Sequence, residues 1–386
     1  MANPSIKVPE PENPVELEKE QRALLFSRGV VDALLKRGSA MIDTEADHDP
    51  FRMNSSGREY NEVFRETDVY SVPDIHGDIQ ALRQSLDAMG LIDAQGNWIG
   101  GNSVVQFLGD YIDRGDTSLE VLDYLIKLKR QIEAAGGRMD LLIGNHEFML
   151  LGAILGDKSR REFYSNSRNG GDVLLEEVRR KYNVPDDNEV LWKKMKELFV
   201  SGGKYAALFD SMKLMSQVDD VLYVHGGING KWAKLLEREG VDGMNQSWQD
   251  AYEDLKDGND EAYKELDYDY SPLWIRYNQD MRVMNDQALA SIAASLKKRG
   301  INAIVLGHDY MESGPQLHHE FLRFGIKVVA TDVAMSKGYS LKSYSYKGGV
   351  KIDQEGNIEA QSRRGGARKL YDAESDKAAA ASLKAG

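Results

Sequence analysis

The chain has 386 residues, a formal net charge of −13 at pH 7 and no cysteine. The absence of cysteine excludes disulfides and every mechanism that needs a thiolate, including that of the cysteine phosphatases. The negative charge disfavours a nucleic-acid partner, because binding to a phosphate backbone usually requires a basic surface. No apolar run in the sequence reaches the roughly 20 residues that a membrane-spanning helix needs.

The chain is expected to divide into an arm, one large domain and a tail. Residues 1–15 carry four prolines among polar residues, which is typical of a flexible arm. Residues 16–360 lack a central linker, so we expect one domain there, with a helical insertion at about 151–220. Residues 361–386 are expected to form a C-terminal tail. The first twenty residues lack the pattern of a secretory signal, which makes a cytoplasmic location the default expectation.

Five predicted strands each end in a polar cluster. The runs 68–72, 104–108 and 139–143 are short and apolar, as buried strands are, and the runs 221–224 and 302–306 repeat this pattern. Apolar residues at helical spacing follow the first two clusters, which predicts a strand-helix repeat with a parallel sheet. Because ligands bind at the carboxyl ends of parallel strands, the clusters are expected to converge at one edge.

The other segments are assigned to helices and to a second sheet. Helices are expected in 15–36 and, within the insertion, at 173–182 and 190–199. The segments 326–334 and 339–346 alternate as strands do and are expected to complete a second sheet. Four side chains of the insertion that could meet a phosphorylated substrate are interpreted instead as a solvated face. They are Arg160, Arg161, Tyr164 and Arg168.

The clusters at the strand ends contain six groups suited to metal binding. They are Asp74, His76, Asp110, Asn145, His225 and His308. Carboxylate and imidazole together suit Mn, Fe or Zn better than Ca or Mg. Six groups exceed the needs of one tetrahedral ion and a carboxylate can bridge, so a two-metal centre is expected. Such a pair of ions favours direct hydrolysis of a phosphoester by a metal-bridging hydroxide.

Four residues are suited to contact the substrate. Arg114 offers a bidentate guanidinium for two phosphate oxygens, and Asn145 is assigned to phosphate binding as well as to a metal. His146 can protonate the leaving oxygen if Asp113 holds its ring. Arg276 stands among aromatic residues and is either a second phosphate contact or a stacked surface guanidinium, and the sequence leaves both open.

The order of these blocks resembles that of a known family. The blocks read DIHGD from residue 74, GDYIDRG from 109, GNHE from 144 and HGG from 225, with a further histidine at 308. Over about 68–335 the chain resembles the phosphoprotein phosphatases of the calcineurin-like metallophosphoesterases. The resemblance implies an α/β fold of two mixed β-sheets packed as a sandwich and flanked by helices, with residues 16–360 as the catalytic domain. It also implies a substrate that is a protein or peptide phosphorylated on Ser/Thr, Tyr or both.

The resemblance further divides the site residues by role. The residues that bind the first metal ion, including the bridging carboxylate, are Asp74, His76 and Asp110. The residues that bind the second ion are Asn145, His225 and His308. The residues that contact phosphate or supply the general acid are Arg114, Arg276, His146 and Asp113.

Departures from the family pattern favour its bacterial or Shewanella-like branch. Pro73 stands where the family usually has Gly, and the segment 331–335 stands near the point where the eukaryotic toxin-sensitive members have SAPNYC. Because these branches differ in substrate, a dinucleoside polyphosphate hydrolase is kept as the alternative function. A binding scaffold without catalysis is disfavoured, since every expected metal ligand and the expected acid are present.

Overall fold

The computed structural model describes residues 67–375, apart from 201, 268–269, 281–283, 340–345 and 364. The arm predicted at 1–15, the helices predicted in 15–36 and most of the strand predicted at 339–346 lie outside these residues. Within the described part of the chain, no helix is both long enough and apolar enough to cross a membrane.

The described residues form eleven strands in two sheets. The strands are β1 (Val69–Val72), β2 (Val104–Phe107), β3 (Arg138–Leu141), β4 (Met215–Val218), β5 (Val221–Val224), β6 (Ala303–Leu306), β7 (Gln316–His318), β8 (Lys327–Ala330), β9 (Gly348–Ile352), β10 (Ile358–Ser362) and β11 (Gly366–Tyr371). The first sheet has the order β11-β10-β9-β1-β2-β3, and the second has the order β4-β5-β6-β8-β7. The strands predicted from the five apolar runs are therefore confirmed.

Both sheets are mixed. In the first, β1, β2 and β3 are parallel while β9, β10 and β11 join antiparallel. In the second, β5, β6 and β8 are parallel, with β4 and β7 antiparallel at the edges. One buried cluster contains Val69 and Val104 from the first sheet together with Val221 and Val305 from the second. The two sheets thus pack on each other, which confirms the predicted sandwich.

Helices connect the strands and flank the sheets. They are α1 (Ile79–Ala88), α2 (Ser118–Ala134), α3 (Asn145–Leu155), α4 (Lys158–Tyr164), α5 (Gly171–Tyr182), α6 (Asn188–Phe199), α7 (Ala206–Asp210), α8 (Gly230–Lys256), α9 (Glu261–Lys264), α10 (Tyr277–Asp280) and α11 (Asp286–Lys298). The Asp78 carboxylate caps α1 by accepting from the backbone N–H of Ala81 at 2.9 Å. The helix thereby starts directly after the first polar cluster.

The segment 151–220 and the residues after 360 each contain part of a sheet. The helices α4 to α7 lie within 151–220, and so does β4, which belongs to the second sheet. The first sheet continues beyond residue 360, because β10 pairs with β9 and β11 pairs with β10. β11 is an edge strand whose residues 366–369 are exposed, so it carries little of the apolar alternation by which a strand is found in sequence.

Candidate metal centre

The polar clusters at the strand ends meet at one edge of the sandwich. Asp74 and His76 follow β1, Asp110 follows β2, and Asn145 starts the helix after β3. From the second sheet, His225 follows β5 directly and His308 follows β6. These are carboxyl ends of parallel strands, where the crevice of such folds lies. The six side chains are buried, with at most 4% of their surface exposed.

One group of four side chains could hold a metal ion. One ligand atom from each lies within 4.8 Å of the others, and the group consists of Asp74, Asp110, His225 and His308. The His308 backbone N–H donates to both carboxylate oxygens of Asp74, at 3.1 and 3.0 Å. This bond joins the ends of β1 and β6, one from each sheet.

The His225 ring is held in the form that binds a metal ion. Its Nδ1 lies 2.7 Å from the Leu108 carbonyl oxygen, which can only accept, so Nδ1 carries the proton and Nε2 presents a lone pair. That Nε2 lies 3.0 Å from Asn145 Oδ1 and 3.4 Å from Asp110 Oδ1. Three electron-rich atoms thus converge on one point, an arrangement that a cation between them would stabilise. The residues present therefore fit a divalent ion.

A second group lies on the other side of Asp110. It consists of His76, Asp110 and His146, again with ligand atoms within 4.8 Å of one another. His76 Nε2 lies 3.5 Å from Asp110 Oδ2, while His146 Nε2 lies 4.0 Å from the same oxygen. The two oxygens of Asp110 thus face different groups, as a bridging carboxylate requires. In this geometry Asp74 groups with His225 and His308, whereas the resemblance pairs it with His76.

Burial controls the charges in the site. Burial, followed by the charges of Asp332 and Asp110, raises the pKa of Asp74 well above its usual range. Burial also lowers the pKa of His76 and His308 well below their usual range, so both rings are neutral at pH 7, which is the form that can bind a metal ion. Among the described residues, none forms a hydrogen bond with the buried Nε2 of His308. Buried polar atoms without a hydrogen bond are rare in folded proteins, and one explanation for such an atom is a bound ion.

His146 and Asp113 form a buried pair next to the metal groups. His146 Nδ1 lies 2.8 Å from Asp113 Oδ2, and Asp113 has no exposed surface. Arg114, half-buried beside them, places Nη2 3.5 Å from His146 Nε2. A guanidinium and an imidazole thus approach the same point of the crevice. Such a pair can bind an anionic oxygen and deliver a proton close to it.

Backbone strain is concentrated in this site. Five of its residues that are not glycine adopt a positive φ between 46° and 69°. They are His76, Asp110, Asp113, Arg114 and His308. A left-handed conformation costs a residue with a side chain about 1 kcal/mol, and such strain clusters at functional sites. All five residues belong to the polar clusters that follow the strands.

Arg276 lies beside the centre rather than on the surface. Its Nη1 donates to the His308 carbonyl oxygen, and its Nη2 lies 3.4 Å from His308 Nδ1. The guanidinium therefore lies next to the group of four side chains that contains His308.

Two residues of the site were missed by the sequence analysis. Glu147 has no exposed surface and accepts from the backbone N–H groups of Asp110 and Tyr111, both at 2.8 Å, which holds the loop that carries Asp110. Its position three residues after Gly144, as in a capping box, was the available signal. Tyr164, interpreted as part of a solvated face, is instead fully buried and donates to Asp113. The interpretation was wrong for Tyr164 because α4 folds back against the centre.

A match to a known family agrees with the fold and with the candidate centre. Residues 69–312 match the calcineurin-like phosphoesterase family, and the chain belongs to this family. Members of this family use two divalent metal ions, which agrees with the two groups that share Asp110.

Several known proteins are similar to the chain. Shewanella-like protein phosphatase 2 of Arabidopsis thaliana is 34% identical over 128 residues, which are 31% of this chain and 33% of that protein. Shewanella-like protein phosphatase 1 of Plasmodium berghei is 25% identical over 176 residues, 46% of this chain and 43% of that protein. The chain thus spans less than half the length of these relatives. The crystal structure of a cold-active protein-tyrosine phosphatase of a psychrophilic Shewanella species has a TM-score of 0.59 at 24% identity, covering 79% of this chain and 80% of its own. This structural similarity shows that the chain and the Shewanella phosphatase share a fold.

Proposed function

We propose that this chain is a phosphatase that uses two divalent metal ions to hydrolyse phosphomonoesters on phosphoproteins. The observation that carries the proposal is the meeting of metal-binding side chains from both sheets around Asp110, directly beside the His146–Asp113 pair. The similarity to the Shewanella-like protein phosphatases supports a phosphorylated protein as the substrate and that branch as the chain's place in the family.

The six buried strand-end residues would hold the two ions, with Asp110 shared between them. Bound there, the ions supply an activated water and neutralise the charge of the phosphoryl group. Asp110 is suited to the shared position because burial alone would raise its pKa, yet the surrounding histidines, His225 and His146 foremost, lower it. The carboxylate form of Asp110 is therefore favoured at neutral pH.

The substrate would be held and protonated by residues of the crevice. Arg114 binds two phosphate oxygens through its planar guanidinium, and Arg276 approaches from the side of His308. The amide nitrogen of Asn145 can donate to a further phosphate oxygen. His146 donates its Nε2 proton to the leaving oxygen as the P–O bond breaks, so that the products are inorganic phosphate and a neutral alcohol or phenol.

The test is turnover by the metal-stripped protein after addition of Mn²⁺, Zn²⁺ or Mg²⁺. The substrates are matched phosphoserine, phosphothreonine and phosphotyrosine peptides, with diadenosine tetraphosphate alongside. Metal-restored release of phosphate from a peptide is expected, and the preferred peptide identifies the amino-acid specificity. Cleavage of the nucleotide alone would overturn the proposal in favour of a dinucleoside polyphosphate hydrolase. Metal binding without any turnover would leave only a binding scaffold.

The same assay identifies the metal ion that supports the highest turnover. A cytoplasmic location stays a prediction, to be checked by fractionating cells that express the protein.

A further inference from the structure

Tyr164 brings a hydroxyl group of the helical insertion into the catalytic crevice. It is the last residue of α4, has no exposed surface, and its hydroxyl lies 2.5 Å from Asp113 Oδ1. Burial, reinforced by the charge of Asp113, raises the pKa of Tyr164 well above its usual range. The hydroxyl therefore keeps its proton at neutral pH and donates it to the carboxylate.

Both oxygens of Asp113 are used. Oδ2 lies 2.8 Å from His146 Nδ1, and Oδ1 accepts from Tyr164. Without the tyrosine hydroxyl, Oδ1 would be a buried carboxylate oxygen lacking this donor, which disfavours the charged form of Asp113. Two bonds in different directions also fix the plane of the carboxylate. That plane in turn sets the orientation of the His146 ring.

The segment from Tyr164 to Gly170 holds the neighbouring Arg114 as well. The Gly170 carbonyl oxygen accepts from the backbone N–H of Arg114 at 3.0 Å, and the Arg168 carbonyl oxygen accepts from its Nη1 at 3.3 Å. A Cβ atom on Gly170 would lie only 2.7 Å from Arg114 Cγ, so the two backbones are in close contact. The insertion thus supports the strained turn of Asp113 and Arg114, whose φ angles are 69° and 64°.

We infer that Tyr164 is a positioning residue for the general acid, acting on His146 through Asp113. The inference rests on the proposed function, because it assigns a role in protonating the leaving group. In that step the His146 Nε2 proton moves to the leaving oxygen and the imidazolium becomes neutral. Asp113 stays a carboxylate and Tyr164 keeps its proton throughout. The hydroxyl is needed only to hold Asp113 charged and oriented.

The test compares two leaving groups in the metal-loaded enzyme. In a phosphoserine peptide the serine oxygen leaves as an alkoxide, which needs a proton from the general acid. In p-nitrophenyl phosphate the leaving group is a stable phenolate, which hardly needs one. Tyr164→Phe keeps the buried ring, so the variant retains its fold and its metal content. We expect kcat on phosphoserine to fall about tenfold and kcat on p-nitrophenyl phosphate to change less than about twofold, with KM unchanged.

Tyr263→Phe is the matched control. Tyr263 is also fully buried, and its hydroxyl donates to the Phe148 carbonyl oxygen rather than to the acid pair. Loss of that hydroxyl should lower the melting temperature to a similar extent, while the ratio of the two kcat values stays at its wild-type value.

A double-mutant cycle completes the test. If Tyr164 acts through His146, Tyr164→Phe has no further effect on phosphoserine turnover in the His146→Ala background. Two results would overturn the role of Tyr164 and leave the proposed function standing. One is an equal loss of kcat on both substrates in Tyr164→Phe. The other is the same tenfold loss of kcat on phosphoserine when Tyr164→Phe is added to His146→Ala. Wild-type protein that turns over neither substrate with any metal would overturn both.

Discussion

Replacement of Asp110 by asparagine should remove metal ions from both groups at once. Oδ1 of Asp110 lies 3.4 Å from His225 Nε2 and Oδ2 lies 3.5 Å from His76 Nε2, so each ion loses a shared anionic ligand. Removing a group that merely orients a ligand already costs 10- to 100-fold in metal affinity, so for Asp110→Asn we expect about 100-fold or more for each ion. The fold should persist, because the remaining amide oxygen can still accept from the His146 backbone N–H.

His146→Ala should behave differently from Asp110→Asn. The bond to Asp110 Oδ1 comes from the backbone of His146 and survives the substitution, so metal content should stay at its wild-type value. Turnover of a phosphoserine peptide should fall about 1,000-fold, the loss typical of a missing general acid. The assay is elemental analysis of each purified variant, paired with kcat on the same sample.

Equal metal loss in Asp110→Asn and His146→Ala would refute this division of roles. It would show that His146, whose Nε2 lies 4.0 Å from Asp110 Oδ2, is itself a metal ligand. His319→Ala removes an exposed histidine and serves as the control for non-specific metal binding.

Two further predictions concern stability. Glu147→Ala should lower the free energy of unfolding of the metal-free protein by about 3 kcal/mol, because buried backbone N–H groups lose their acceptor. A urea titration measures this free energy. A loss below about 1 kcal/mol would contradict the prediction. Glu177 carries a pKa raised to about 7, mainly by burial, against an ordinary value of 4.5. The folded chain therefore keeps a proton that the unfolded chain releases, so stability should fall as the pH rises from 4.5 to 7, by about 2 kcal/mol after allowance for solvent screening. Urea titrations at pH 5 and pH 8 should show this dependence reduced in Glu177→Gln, and an unchanged dependence would show that Glu177 is not its source.

Much of the fold was predictable because its signals are local. The strands that carry the centre are apolar runs four or five residues long, each followed by a polar cluster, and this pattern does not depend on distant parts of the chain. The edge strand β11 was not predictable in the same way. Its polar and exposed residues owe their strand conformation to pairing with β10, which is a tertiary contact.

The sequence by itself determined which residue types stand at the strand ends, and hence the class of chemistry. Only the tertiary structure decided how they are grouped, because grouping depends on distances between segments that are far apart in the chain. Asp74 meets His308 across 234 positions of sequence, and Tyr164 reaches Asp113 across 51. A helix of polar composition gave no sign that its last residue is buried against a carboxylate. That contact arises from the packing of α4 against the centre, which no local pattern encodes.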